Sequence, residues 1–175
     1  MDVDSGASLP IAGKEPVFRH VDETMRQMVR RQQNPDGTEG TIFETWFAFS
    51  EDPQYLSLLA VFSPGMIVRR HGHLSPHVIY IIEGGAWYQD RWCPKGTHIE
   101  LPFGAAFGPI VAGDEGATMF EVMMGDPRSW GDQPELFQQV LDERGVQVLP
   151  DPPIQLPPWL EDFRDHWSGG SDNRE

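Results

Sequence analysis

Between Gly40 and Gly125 the chain breaks into short runs rich in Val, Ile, Phe, Tyr and Trp, punctuated by Gly and Pro roughly every eight to twelve residues, a texture that predicts an all-β sandwich or barrel. The predicted strands are Thr41 to Phe49, Tyr55 to Phe62, Met66 to His73, His77 to Ile82, Ala86 to Trp92, His98 to Leu101, Ala105 to Val111 and Thr118 to Met124. That number of strands suffices to close a small barrel. Upstream, Val21, Met25, Met28 and Val29 recur at helical spacing, which predicts a short helix within Val17 to Gln33 ended by the Asn34-Pro35-Asp36-Gly37 turn.

Downstream of Asp126 the pattern changes again. Asp132 reads as an N-cap, Pro134 suits a first helical turn, and Leu136, Phe137, Val140 and Leu141 form an apolar face ending before Gly145, so a helix docked outside the barrel is expected. The prolines from Pro150 to Pro158 predict an extended stretch, after which Trp159, Leu160, Phe163 and Trp167 offer a second short apolar helix. The expected division is an N-terminal arm over residues 1–40, the barrel over 41–125 and a helical, Pro-rich C-terminal arm over 126–175. The first 15 or so residues read as a loose arm, and neither an internal repeat nor a low-complexity tract is present.

Composition narrows the classes of partner. Thirteen Lys plus Arg against 27 Asp plus Glu give a formal net charge of -14, which disfavours nucleic acid and anionic membrane surfaces. The acidic residues are scattered, so the charge reads as solubility. Cys93 is the only cysteine, which excludes an intramolecular disulfide, and no leader-like segment opens the chain, so a cytoplasmic protein is expected. The longest nearly apolar run, around Tyr55 to Phe62, is far below the roughly 18 residues of a membrane span. Apolar residues in the C-terminal arm suggest association, and a homodimer is expected.

The chemistry concentrates in histidine. His71, His73, His77 and His98 share one segment, whereas His20 and His166 sit apart in the flanks. Residues i and i+2 of a strand point to one face with Cα atoms roughly 7 Å apart, so His71 and His73 can converge on one metal ion. Ser75-Pro76 breaks the strand, and if the next one runs back beside it, His77 completes a three-imidazole set. A solvated polar edge is the alternative for an His-x-His pair, and the third histidine after a turn favours ligation. Ile99 and Leu101 are expected to face the core, which places His98 and Glu100 outside. Asp90 or Gln89 is a further candidate oxygen ligand.

At these residues the sequence resembles the cupin superfamily. Gly65, His71, His73 and Gly84 fall at the spacings of the family's first motif, with His77 where the family has glutamate. Gly96, Pro102 and Gly104 match the second motif in register, with Phe107 in place of its histidine and Val111 in place of its asparagine. The resemblance covers about Thr41 to Met124. It implies a cupin-type β-barrel (double-stranded β-helix or jelly roll) and a divalent metal held by His71, His73 and, as a changed ligand type, His77, with Fe(II) favoured and Zn, Ni or Mn as alternatives.

Three neutral imidazoles leave the charge of a divalent ion uncompensated, which favours an anionic, chelating substrate. Among enzymatic cupins, some non-haem iron dioxygenases use three histidines, so a dioxygenase-like oxidoreductase acting on a small anionic or aromatic molecule is the implied activity. A non-catalytic small-molecule-binding or sensor cupin is the alternative, and a metal-dependent lyase or hydrolase is a further one. Phe107, Arg69 and Tyr80 are the candidate substrate-pocket residues. Phe107 fills a ligand position, and Arg69 would share a face with His71 and His73 if the strand from Met66 alternated regularly.

Overall fold

The long strands follow the two-residue period that places alternate side chains on opposite faces. In one of them Leu56, Leu58, Ala60 and Phe62 are buried while Tyr55, Ser57, Leu59 and Val61 are partly exposed. The computed structural model describes residues 15–155. A turn of 3-10 helix (Val21–Glu23) leads into β1 (Arg26–Gln33), β2 (Glu39–Glu51), β3 (Gln54–Phe62), β4 (Ile67–Val68), β5 (His71–His73) and β6 (His77–Tyr88). There follow β7 (Arg91–Pro94), β8 (His98–Leu101), β9 (Ala106–Phe107), β10 (Ile110–Met123), β11 (Ser129–Gly131), α1 (Pro134–Arg144) and β12 (Gln147–Val148).

One nine-stranded sheet runs in the order β12-β1-β2-β3-β10-β6-β7, with β4 also on β10 and β8 also on β6, and a three-stranded sheet runs β11-β5-β9. The architecture is the all-β cupin barrel that the sequence resemblance implied. Its core contains Ile42, Leu56, Leu58, Ile79, Ile81 and Met119, each no more than 2% exposed. The small sheet carries His71 and His73.

The helix predicted within Val17 to Gln33 is largely a strand: beyond the single 3-10 turn, Arg26–Gln33 pairs with β2. A bulge between Met28 and Arg30 puts the buried Val29 and Gln32 three residues apart, and that spacing imitates a helix. Gln32 is 1% exposed and fully bonded, its amide reaching Asn34 Oδ1 at 2.8 Å and the Gly65 carbonyl at 3.1 Å, while its oxygen accepts from Ile67 N at 2.9 Å.

The strand predicted from Met66 to His73 is interrupted at Arg69 and Arg70, so its regular alternation fails. Val68 joins the barrel core, while Ile67 packs outside with Val111 and Leu141. Conversely, the two strands predicted from His77 and from Ala86 are one, because Gly84 and Gly85 continue β6. Gly84 has φ +63°, and a Cβ there would strike the Gly116 carbonyl, which permits this close strand passage. Likewise β10 merges the predicted strand ending at Val111 with the one starting at Thr118.

The helix after Pro134 forms as predicted, with Phe137, Val140 and Leu141 against Ile67 and Val111, and with Gly145 as a left-handed C-cap at φ 64°. Its N-cap is Gln133 and not Asp132, whose carboxylate instead accepts from Arg70 Nε at 3.0 Å. From Leu149 to Gln155 the chain runs without regular structure, Ile154 resting on the barrel core. The apolar helix predicted around Trp159 to Trp167 and most of the loose N-terminal arm lie outside the described residues. No helix among those described is long and apolar enough to cross a membrane.

Candidate functional site

Strand β5 is held between β9 and β11, with His71 opposite Phe107 and Gly131, and His73 opposite Ser129. The residue between the two histidines must be small: a Cβ on Gly72 would lie 2.6 Å from the Trp130 ring and 2.7 Å from the Ala105 carbonyl oxygen. With Gly72 packed flat under Trp130, both imidazoles turn to the other face.

His71 Nδ1 lies 2.9 Å from the Arg69 carbonyl oxygen, and His73 Nδ1 lies 2.8 Å from that of Pro127. A carbonyl only accepts, so each Nδ1 carries the hydrogen and, in the neutral ring, each Nε2 keeps its lone pair. Both rings are neutral at pH 7. Burial, then the neighbouring His73, holds His71 well below the usual imidazole range, and burial, then His77, brings His73 down to about 4.

His77 opens β6 and is 2% exposed. Its ring centroid is 4.9 Å from that of His73, which is 5.2 Å from that of His71, so the three predicted histidines form one cluster. His77 Nε2 is 3.0 Å from Glu121 Oε2, an ion-pair distance, yet neither ring nitrogen has an aligned hydrogen-bond partner. Phe107 completes the cluster, its ring 4.4 Å from His71 and 5.7 Å from His77. Tyr88 stacks on Phe107 at 6.2 Å, and burial raises its phenol well above the usual value.

These groups border a cavity of about 100 Å³ whose walls include His71, His73, Phe107, Glu44, Glu121 and Arg30. Glu44 Oε2 accepts from Trp46 Nε1 at 2.6 Å, and burial pushes its carboxyl up to about 7 against the opposing pull of that bond.

Other predicted positions fall elsewhere. Tyr80 is 46% exposed, because His77, Ile79 and Ile81 take the inward face of β6, so it is not a pocket residue. Arg69 contributes its carbonyl to His71, while its guanidinium lies along Gly131, so loss of regular alternation removes it from the cavity wall. Gln89 and Asp90 form the exposed turn between β6 and β7. His98 is exposed beside Glu100, with Ile99 and Leu101 inward as expected. Sequence reasoning missed Glu44, Glu121 and Arg30. An acidic residue at an inward position was the available indication for two of them: Glu121 lies between buried Met119 and Met123, and Glu44 follows buried Ile42 by two.

The arrangement fits two nitrogen donors of a metal. Each is neutral, each is oriented by a second bond to the backbone, and each faces a cavity, which is how ligating imidazoles are prepared. Among the described residues no set of three His, Cys, Asp or Glu stands in a metal-holding arrangement, and His77 sits against Glu121.

No family profile matches the sequence, and no curated protein does either. Solved structures do. An acetylacetone dioxygenase from Acinetobacter johnsonii gives a TM-score of 0.53 at 12% identity, covering 95% of this chain and 97% of that one. A proposed acetylacetone dioxygenase from Methylibium petroleiphilum gives 0.56 at 8% identity, over 71% and 85%. A cupin-like protein from Thermotoga maritima gives 0.44 at 16% identity, over 63% and 87%. The chain has the cupin fold.

Proposed function

We propose that this protein is a metal-dependent cupin oxidoreductase of the non-haem dioxygenase type, acting on a small organic molecule in the cavity beside His71 and His73. The observation that carries the reading is the pair of neutral imidazoles, each with Nδ1–H fixed to a backbone carbonyl and Nε2 left for a metal. His71, His73 and His77 are the proposed ligands, Fe(II) is the favoured ion, and Zn, Ni or Mn are alternatives, because ligand type alone selects poorly among these ions. A bound ferrous ion would supply the redox chemistry with dioxygen.

The chain's own residues then have separate tasks. Phe107, backed by Tyr88, makes part of the inner wall apolar, and Glu121 offsets positive charge beside His77. Glu44, with its carboxyl near 7, holds or releases a proton within the cavity. The backbone likeness to two proteins named as acetylacetone dioxygenases makes small 1,3-diketones the first compounds to try. A binding or sensor protein is the second reading, favoured by Phe107 in the position where the family carries a histidine. A cytoplasmic homodimer is part of the proposal, supported by the single buried Cys93 and by exposed Phe18, Trp87 and Trp92.

The test is dioxygen consumption by ferrous-loaded protein with diketone, phenolic and thiol compounds. Uptake with at least one compound, lost in His71→Ala, is expected. Uptake that persists in His71→Ala would remove the site assignment, and none with any compound would favour the binding reading.

A further inference from the structure

One wall of the cavity comes from the C-terminal segment and not from the barrel. Asp151, Pro152 and Ile154 line it, and among the described residues the hydrogen bonds that tie this segment down go to β1. Leu149 N donates to the Arg31 carbonyl at 3.2 Å, Arg31 Nε donates to the Pro150 carbonyl at 2.9 Å, and Gln155 N donates to Gln27 Oε1 at 2.9 Å. The segment is therefore a strap hung on a single strand.

Between these ties lies an ion pair, Arg30 Nη1 to Asp151 Oδ2 at 3.2 Å, with side chains 25% and 17% exposed. Arg30 follows the bulge in β1, and it is the only Lys or Arg among the described residues that line the cavity. Its partner holds it by one oxygen only, whereas a free carboxylate can take a guanidinium by both, in the stronger forked geometry. Burial raises the Asp151 carboxyl even with Arg30, Arg69 and Arg31 nearby, so Asp151 is an imperfect occupant of a positive locus.

Size points the same way. About 100 Å³ holds only about three waters. Ligand pockets are typically about 300–1,000 Å³, so with the strap seated the cavity is too small for most organic ligands. A larger ligand needs part of the wall to move, and the strap is the part of the wall that carries no regular structure and, among the described residues, is hydrogen-bonded to one strand alone.

We propose that Arg30 is a carboxylate-binding subsite of this cavity, filled here by the chain's own Asp151, and that a small carboxylate-bearing ligand binds by displacing Asp151 and releasing residues 149–155 from β1. Asp151 is thus an internal competitor for the ligand. The inference rests on the cavity being the small-molecule site and does not require the metal.

The experiment uses metal-free, full-length protein in a carboxylate-free buffer at fixed pH and ionic strength. Acetate, pyruvate and benzoate are titrated calorimetrically, each beside its uncharged amide, into the wild type, Asp151→Asn and Arg30→Met. Hydrogen exchange at the amides of Leu149 and Gln155 is followed in parallel. At least one carboxylate should bind about tenfold or more tighter than its amide, a difference of about 1.4 kcal/mol. Asp151→Asn should tighten it further, Arg30→Met should abolish the preference, and the bound carboxylate should speed exchange at both amides in the wild type. Equal binding of carboxylate and amide, a preference surviving in Arg30→Met, unchanged exchange, or no carboxylate bound by Asp151→Asn would each overturn the inference. Because no metal is present, failure of the metal reading leaves these outcomes interpretable.

Discussion

At the scale of single residues, the site is a set of side chains whose ordinary charges have been suppressed. His71 is held neutral by burial and then by His73, His73 by burial and then by His77, and burial raises the Glu44 carboxyl to about 7. The Glu44 shift has a definite sign. Its folded value, about 7, lies above the ordinary 4.5, so the folded state binds the proton more tightly than the unfolded chain does. The stability this contributes is fully present below pH 4.5 and is lost as pH rises to about 7. The upper figure for the loss is about 3 kcal/mol. Urea unfolding of wild type and Glu44→Gln between pH 4.5 and 8 should show the wild type losing stability relative to the variant up to about pH 7 and running parallel above it. Parallel curves throughout would mean that Glu44 ionises normally.

The histidines were legible as residues because three of one rare type fell at strand and turn spacings, and Phe107 was legible through its place in a glycine-punctuated motif. Glu44, Glu121 and Arg30 were not. They reach the cavity from strands distant in sequence, and Arg30 was further hidden by the expectation of a helix over β1. Tyr80 points outward while Tyr88 stacks on Phe107 behind the cavity wall; both faces of β6 are apolar, and alternation alone does not orient it.

At the scale of elements, β5 determines whether the two imidazoles converge. It is three residues long, it is paired on both sides, and its middle residue has no room for a side chain. Gly72→Ala must push Trp130 or the Ala105 carbonyl aside, and a destabilisation of about 1–3 kcal/mol is expected, as for overpacking elsewhere. Thermal unfolding checks this, with weaker metal uptake by the variant as the functional counterpart. An unchanged melting temperature would show that β11 shifts freely and that the small sheet is not a rigid mount.

Elements with simple periodicity were read correctly: α1 by its apolar face and its terminal Gly145, and β8 by alternation over four residues. Those with a bulge, a break or a glycine passage were misread. A bulge restores a spacing of three in β1, Arg69 and Arg70 interrupt the strand before His71, and Gly84 lets β6 continue through an apparent turn. Each is a local departure from period two that tertiary pairing enforces and that a single sequence does not display.

At the scale of the whole molecule, a cupin barrel supplies the cavity, its small sheet supplies His71 and His73 while β6 supplies His77, and Asp151, Pro152 and Ile154 after α1 form part of the wall. The chain's net charge is -14, and among the described residues the one arginine that lines the cavity is already matched by Asp151. Backbone likeness to dioxygenases at 8 and 12% identity establishes the barrel and leaves the chemistry to this chain's own residues. That chemistry depends first on whether the histidine cluster holds a metal.

The decisive measurement is therefore elemental analysis of untagged, full-length protein purified without added metal or chelator, beside the His71→Ala/His73→Ala variant. Near-stoichiometric iron, or another divalent transition metal, in the wild type and none in the folded variant is the predicted result. Wild-type protein that is empty and takes up no added ferrous ion, or a variant carrying as much metal as the wild type, would contradict it.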